Sequence, residues 1–229
     1  MSNIIDTLIN DARVWQARQQ KQTSAPAEST GFALLDEHLP GQGWPRGALI
    51  ECMPEALGIG ELQLLLPAIK RLTGTRQAVF WIDPPHIPYA PALARAGVDL
   101  NRIIQVSTQS RQDHLWTLEN CLRSSATGLV IAWPDQMKRS DIRRIQLAAE
   151  SGDSLCILFR DARHADNSSP AALRLKLAAS DPQHIQTDIL KRRGGWPVQA
   201  LKIPITPVVT IPDTTTAQVI QGPWPEQRH

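Results

Sequence analysis

Cysteine is scarce in this chain of 229 residues, and the three present, Cys52, Cys121 and Cys156, show no metal-ligand spacing. Two of them lie inside apolar runs, which reads as buried, reduced thiols and points away from a disulfide framework. An excess of charge of one sign is also lacking: 24 basic and 22 acidic residues leave a formal +2, too little to require a polyanionic partner. No run reaches the roughly 18 apolar residues of a membrane span. The opening MSNIIDTLIND carries acids where a secretory leader would carry bases, so a cytoplasmic protein is expected. His38, His86, His114 and His164 have no metal spacing, and no local Cys/His or Ser/His pair suggests a nucleophile. No metal, cofactor or catalytic residue is expected.

With 42% hydrophobic residues the chain can build one α/β domain with a full core, plus tails. Ile4, Ile5, Leu8, Ile9, Ala12 and Trp15 recur at helical spacing, so residues 1–18 read as an amphipathic helix. Residues 19–30, QQKQTSAPAEST from Gln19, have the composition of a linker, and the helix either packs back on its own domain or docks on a partner. The body, residues 31–205, opens with a short helix framed by Gly31 and the GQGWPRG turn. It continues with strands at Ala48 to Cys52, Gln77 to Pro84, Arg102 to Ser107, Gly128 to Trp133 and Ser154 to Arg160.

Helices fall between these strands: one over Leu62 to Leu72 that Pro67 should kink, one ending at Gly97, one capped by Asp113, and one from Ser140 to Gly152. Unbroken apolar strands alternating with helices predict a doubly wound, mostly parallel sheet with helices on both faces. Beyond Ser168, ALRLKLAA and HIQTDILKRRGGWPVQALKIPI read as strands joined by a hairpin at Gly194-Gly195. Residues 206–229, rich in Pro and Thr, read as a disordered tail.

The first core strand runs into PEALGIGEL, a turn shaped like a P-loop without its chemistry. A working loop reads GxxxxGK[ST], with backbone N–H groups, a Lys and a hydroxyl around the phosphates and Mg²⁺. Here Met53 stands at the first Gly, Gly58 keeps the second, Ile59 stands at the Lys and Gly60 at the hydroxyl.

From about Thr30 to Ile203 the chain resembles the RecA recombinase core, on TGFALLDE, PEALGIGEL, WIDPPHIPYAPALARAGVD and ILKRRGGWP. The resemblance implies a RecA-like fold with a degenerate P-loop. It places Pro85 where the water-positioning glutamate would be and Trp133 where the Walker B acid would end its strand. Four requirements of ATP chemistry are then missing together, which implies a protein that is not an enzyme. Met53 and Ile59 would fill the pocket with apolar atoms.

Within that superfamily the chain resembles the ImuA family, on GIGELQLLLPA, PPHIPYAPALARAG, GLVIAW and ILKRRGGWP. That resemblance implies an accessory role in damage-induced translesion synthesis, with RecA, ImuB and an error-prone DNA polymerase III α-subunit as partners. A second resemblance, to the SulA family, rests on ELQLLLPAI, QVSTQSRQDHLWTLENCLRS, GLVIAW and LAAESGDSLCILFR, and implies a division inhibitor that binds FtsZ. Partner contacts are expected at Ile4, Leu8 and Trp15, and at Lys191, Arg192, Arg193 and Trp196 of the hairpin. Direct DNA binding has weaker support: the loops PDQMKRSD and DARHADNSSP are short, and Lys138, Arg139, Arg143 and Arg144 form a basic helix face of the kind that is often simply solvated. Trp116 and Trp133 read as core or interface aromatics.

Overall fold

The computed structural model describes residues 26–205. The expected helix 1–18 with Ile4, Leu8 and Trp15, most of the linker, and the tail 206–229 lie outside the described residues.

Residues assigned to the end of the linker are structured. Strand β1 (Ala27–Glu28) pairs antiparallel with β2 (Trp44–Pro45), across the short helix α1 (Ala33–Asp36). Asp36 accepts the Thr30 N–H at 2.9 Å and the Ser29 hydroxyl at 2.8 Å, and Thr30 is fully buried. The domain therefore begins before Gly31, because these polar groups tie the incoming chain to α1.

Strand β3 (Ala48–Pro54) is buried along its whole length. A 3₁₀ turn over Glu61–Leu64 precedes α2 (Leu66–Gly74). Pro67 does not kink a longer helix as expected. It sits in the first turn of α2, where its missing N–H would have had no intrahelical partner.

Strand β4 (Ala78–Ile82) leads to α3 (Ala90–Arg95), and β5 (Ile103–Val106) to α4 (Arg111–Arg123). Ser110, not Asp113, caps α4: its hydroxyl oxygen accepts the Asp113 N–H at 3.1 Å, and Asp113 lies in the first turn. Strand β6 (Thr127–Ala132), helix α5 (Arg139–Gly152) and β7 (Leu155–Phe159) complete the alternating part. The meander β8 (Leu173–Asp181), β9 (His184–Lys191) and β10 (Val198–Pro204) ends the described chain.

The eight long strands form one sheet in the order β10-β9-β8-β3-β7-β6-β4-β5. Every pairing from β8 to β5 is parallel, and β8-β9 and β9-β10 are antiparallel. Because side chains alternate along a strand, each central strand feeds two cores. Ile50, Val79, Trp81, Ile131 and Ile157 face α2, with Ala68, Ile69 and Leu72, and Leu93 of α3 packs on the same cluster. Leu49, Ile82, Val130, Cys156 and Leu158 face α4 and α5, with Leu118, Leu122, Ile142 and Ile145. Helices following β3 and β4 thus cover one face and those following β5 and β6 the other, as right-handed crossovers in opposite directions require. This is the doubly wound, RecA-like α/β architecture expected from the sequence. No helix among the described residues is long and apolar enough to cross a membrane.

Candidate functional site at the carboxyl ends of the strands

In an open α/β sheet, ligands lie outside the carboxyl ends of the parallel strands, where adjacent crossovers diverge. Here two such places exist, at β3/β7 and at β4/β6, and they differ in construction.

At β3/β7 the turn that resembles a P-loop is occupied by the chain itself. The Gly58 N–H points at the carboxylate of Glu61, 3.1 Å from each oxygen, so the backbone donor that would meet an anion already meets one. Gly60 has φ +98, and a Cβ placed there would lie 2.5 Å from Cδ1 of Ile205. A hydroxyl-bearing residue at this position would be both strained and displaced. No long helix starts at the turn: the 3₁₀ segment intervenes, and α2 begins at Leu66. The dipole of an α-helix N-terminus is therefore not aimed at the turn. Met53 is fully buried, with its sulfur 3.6 Å from a guanidinium nitrogen of Arg174, and Ile59 packs half-buried on the larger core cluster. The expected apolar filling is thus only part of the picture, because the Glu61 carboxylate also takes up the turn.

Beneath the turn lies an ionic cluster. Glu51, in the middle of β3 and fully buried, accepts from Arg160 at 2.6 Å and from Arg174 at 2.7 Å. Arg174 also donates to the carbonyls of His164 and Ala165, and Lys191 donates to the Ser169 carbonyl at 2.8 Å. Burial alone would raise the Glu51 carboxyl. Hydrogen bonds from Ser169, Arg160 and Arg174 outweigh burial and hold it below the ordinary carboxylate value. Burial pushes the thiols of Cys52 and Cys156 up, so neither is a thiolate at neutral pH.

At β4/β6 the carboxyl ends remain open. Asp83 follows β4 with φ +50, an uncommon conformation that Asp tolerates better than most residues. Its carboxylate accepts from the Thr108 N–H at 2.7 Å and the Thr108 hydroxyl at 2.6 Å, and it lies 2.5 Å from Nδ1 of His114. Burial would raise this carboxyl, but the Thr108 and His114 hydrogen bonds prevail and hold it below its ordinary value. His114 is 7% exposed, and its Nε2 has no partner among the described residues. Trp133 follows β6, stacked on Phe159 with ring centroids 5.2 Å apart and tilted against Trp81 at 5.9 Å. A crevice of about 500 Å³ runs from Asp83 and His114 to Trp133 and Asp135, and continues into one of about 380 Å³ that reaches across to Pro54 and Leu57 after β3 and to Arg160 after β7.

The structure therefore gathers Met53, Gly58, Ile59, Gly60, Pro85 and Trp133 at one end of the sheet. It puts Arg192, Arg193 and Trp196 elsewhere, at the β9-β10 hairpin, where Arg192 donates to the His38 and Trp196 carbonyls and Arg193 pairs with Glu150 at 3.0 Å, while Lys191 turns back toward the Glu51 cluster. Trp196 is 86% exposed, and Trp116 is a surface residue rather than a core one. Of the basic face, Arg144 pairs with Glu119 at 2.7 Å. Sequence reasoning missed Glu51, Glu61, His114 and Ile205 as parts of these sites. Only Glu51 had left a signal, a charge inside an apolar strand, which a folded protein tolerates when it is paired. No group of three or more His, Cys, Asp or Glu among the described residues is arranged to hold a metal ion.

Comparison with known proteins places the chain beside division inhibitors. Residues 48–156, from the start of β3 into β7, match the family model described as Cell division inhibitor SulA. A Cell division inhibitor SulA of Edwardsiella piscicida is 27% identical over 100 residues, 43% of this chain and 60% of the relative. Those of Photorhabdus laumondii subsp. laumondii and Yersinia pestis are 25% and 23% identical over 115 residues, half of this chain and 65% and 68% of the relatives. The chain thus spans less than two thirds of the length of the first two of these relatives. The family matched is that of the SulA resemblance seen in the sequence and not ImuA; the matched residues include Glu51, Asp83, His114 and Trp133 but end before Arg160, Arg174 and Ile205.

Proposed function

We propose that this chain is a non-catalytic, RecA-like protein that acts by binding another protein, as a damage-induced inhibitor of cell division whose partner is FtsZ. The observation that carries the non-catalytic part is the self-occupied turn at β3, where Glu61 takes the Gly58 N–H and Ile205 covers Gly60. Met53, Ile59, Gly60, Pro85 and Trp133 then stand in place of the groups that would hold Mg-ATP and activate water. The division-inhibitor part is supported by similarity to proteins of that name over β3 to β7. A cytoplasmic location follows from such a partner.

One observation favours a second reading, an accessory protein of translesion synthesis that joins RecA to ImuB and an error-prone DNA polymerase III α-subunit. Strands β8 to β10 lie beyond residues 48–156, and their hairpin presents Trp196 to solvent beside Arg192 and Arg193. Co-purification of the full chain with FtsZ, RecA and ImuB, each alone, tests both. Capture of FtsZ with inhibition of its assembly is expected. Capture of RecA or ImuB, with FtsZ absent, would transfer the proposal to the second reading. Mg-dependent ATP binding at about micromolar Kd would overturn the non-catalytic assignment.

A further inference from the structure

The open crevice at β4/β6 is a receptor whose chemistry can be read. Charged groups reach its walls from several elements, and most are already neutralised. Arg111 pairs with Asp141, Arg163 lies 3.7 Å from Asp161, and Glu55 pairs with Lys176 at 2.9 Å. Arg160 belongs to the Glu51 cluster. The net positive charge of that cluster borders the second crevice through Arg160, whereas no member of the cluster lines the first crevice, at Asp83, His114 and Asp135. His164 is held below the ordinary imidazole range, by burial first and then by Arg160 and Arg163, so it adds no positive charge at neutral pH.

One exposed carboxylate, Asp135, has no ion-pair partner among the described residues, and beside it Asp83 is held by Thr108 and, at 2.5 Å, by the His114 ring, with no Lys or Arg partner among the described residues. Between them stands Trp133, an indole that lines both polar crevices and a third, more apolar one of about 290 Å³. A cation gains from an indole face as well as from a carboxylate, and more so where water is partly excluded. The apolar annex is bordered by Leu57, Ile87 and Tyr89, which are 52%, 87% and 65% exposed. Three large exposed apolar side chains around one hollow are the surface a partner side chain would cover.

We propose that this crevice receives a Lys or Arg side chain of a partner protein at Asp83, Trp133 and Asp135, with a neighbouring apolar side chain seated against Leu57, Ile87 and Tyr89. The inference rests on the reading of the chain as a partner-binding protein and adds the chemistry of the contact. Asp83 is pre-positioned by Thr108 and His114, so the carboxylate is held in place before the partner arrives. The left-handed backbone at Asp83 is the kind of local strain that accumulates at binding positions.

The test uses ¹⁵N-labelled full chain and two peptides, acetyl-Leu-Arg-amide and its neutral isostere acetyl-Leu-citrulline-amide. The arginine peptide should move the Trp133 indole and Thr108 amide resonances, with the citrulline peptide about fivefold weaker. Asp135→Asn, on an exposed side chain whose loss leaves folding intact, should weaken the arginine response by a similar factor, and Asp83→Asn should do so more strongly. Equal responses to the two peptides, no response up to about 10 mM, or an Asp135→Asn variant that behaves as wild type would overturn the proposal. FtsZ capture is measured on the same samples. Capture that persists without any peptide response removes the crevice and leaves the proposed function, whereas a peptide response without FtsZ capture removes that function and leaves the crevice.

Discussion

The carboxyl ends of β3 and β4 belong to one sheet and are separated by only two strands, yet they meet opposite fates. At β3 the chain closes its own turn: Glu61 takes the backbone donor, Ile205 caps Gly60, and a buried arginine-glutamate cluster fills the space below. At β4 the carboxylate of Asp83 is oriented by Thr108 and His114 but left half-exposed beside Trp133. The contrast teaches that neighbouring strand ends of one sheet can be filled differently: the turn after β3 is taken up by its own side chains, and the crevice at β4 is left unfilled.

The comparison can be broken most decisively at the buried cluster below the β3 turn. Glu51→Ala would leave the Arg160 and Arg174 guanidinium groups buried without their carboxylate, and a loss of about 3–5 kcal/mol is expected in urea denaturation. A loss under about 1 kcal/mol would mean that the cluster is not a structural element.

The same group sets the acid limit of stability. Glu51 is held below its ordinary value of 4.5 and Asp83 below 3.8, so each contribution is complete above the ordinary value and is lost as pH falls through the lower folded one. The denaturation midpoint should be level near neutrality and decline below about pH 4.5. Glu51→Gln should flatten that decline, and an unchanged acid limb would refute the assignment.

Installing phosphate-loop residues should not create a nucleotide site. Ile59→Lys with Gly60→Thr is expected to cost about 1–3 kcal/mol, from the positive φ and the contact with Ile205, and to yield no Mg-ATP binding by calorimetry. Mg-ATP binding would show that the filled turn yields easily.

The smallest effects belong to the open crevice. Asp83→Asn keeps a residue tolerant of positive φ but weakens charge-assisted bonds, for about 1–2 kcal/mol. Asp135→Asn should stay within about 0.5 kcal/mol of wild type. A large stability loss for Asp135→Asn would mean that this crevice, too, is structural.

Much of this could be read in the chain before any coordinates. Unbroken apolar runs such as GLVIA and LCILF became fully buried strands because both of their faces are covered. The Gly194-Gly195 turn joined β9 and β10 as expected. Local detail was harder to place. Pro67 was read as a kink but starts a helix, because pattern alone could not show the 3₁₀ turn before it. Ser110 displaced Asp113 as the cap, a choice made by the local backbone. Of the candidate site, the turn residues were legible since they are contiguous. The Asp83 to His114 contact spans 31 residues and crosses two strand ends, so no local pattern carried it.

The amino-acid sequence by itself determined the alternation of apolar strands and amphipathic helices, and with it a doubly wound sheet, because burial on two faces demands that pattern. It also determined that the turn after β3 carries Ile59 and Gly60, which supply neither an ammonium nor a hydroxyl. Only the tertiary structure decided what surrounds that turn. Strand order brings Arg160 and Arg174 to the two sides of Glu51, seats Ile205 on Gly60, and sets His114 behind Asp83. These are contacts between residues distant in sequence, fixed by packing and by the need to pair every buried charge; they fill the turn after β3 with its own side chains and leave Asp83 facing an unfilled crevice.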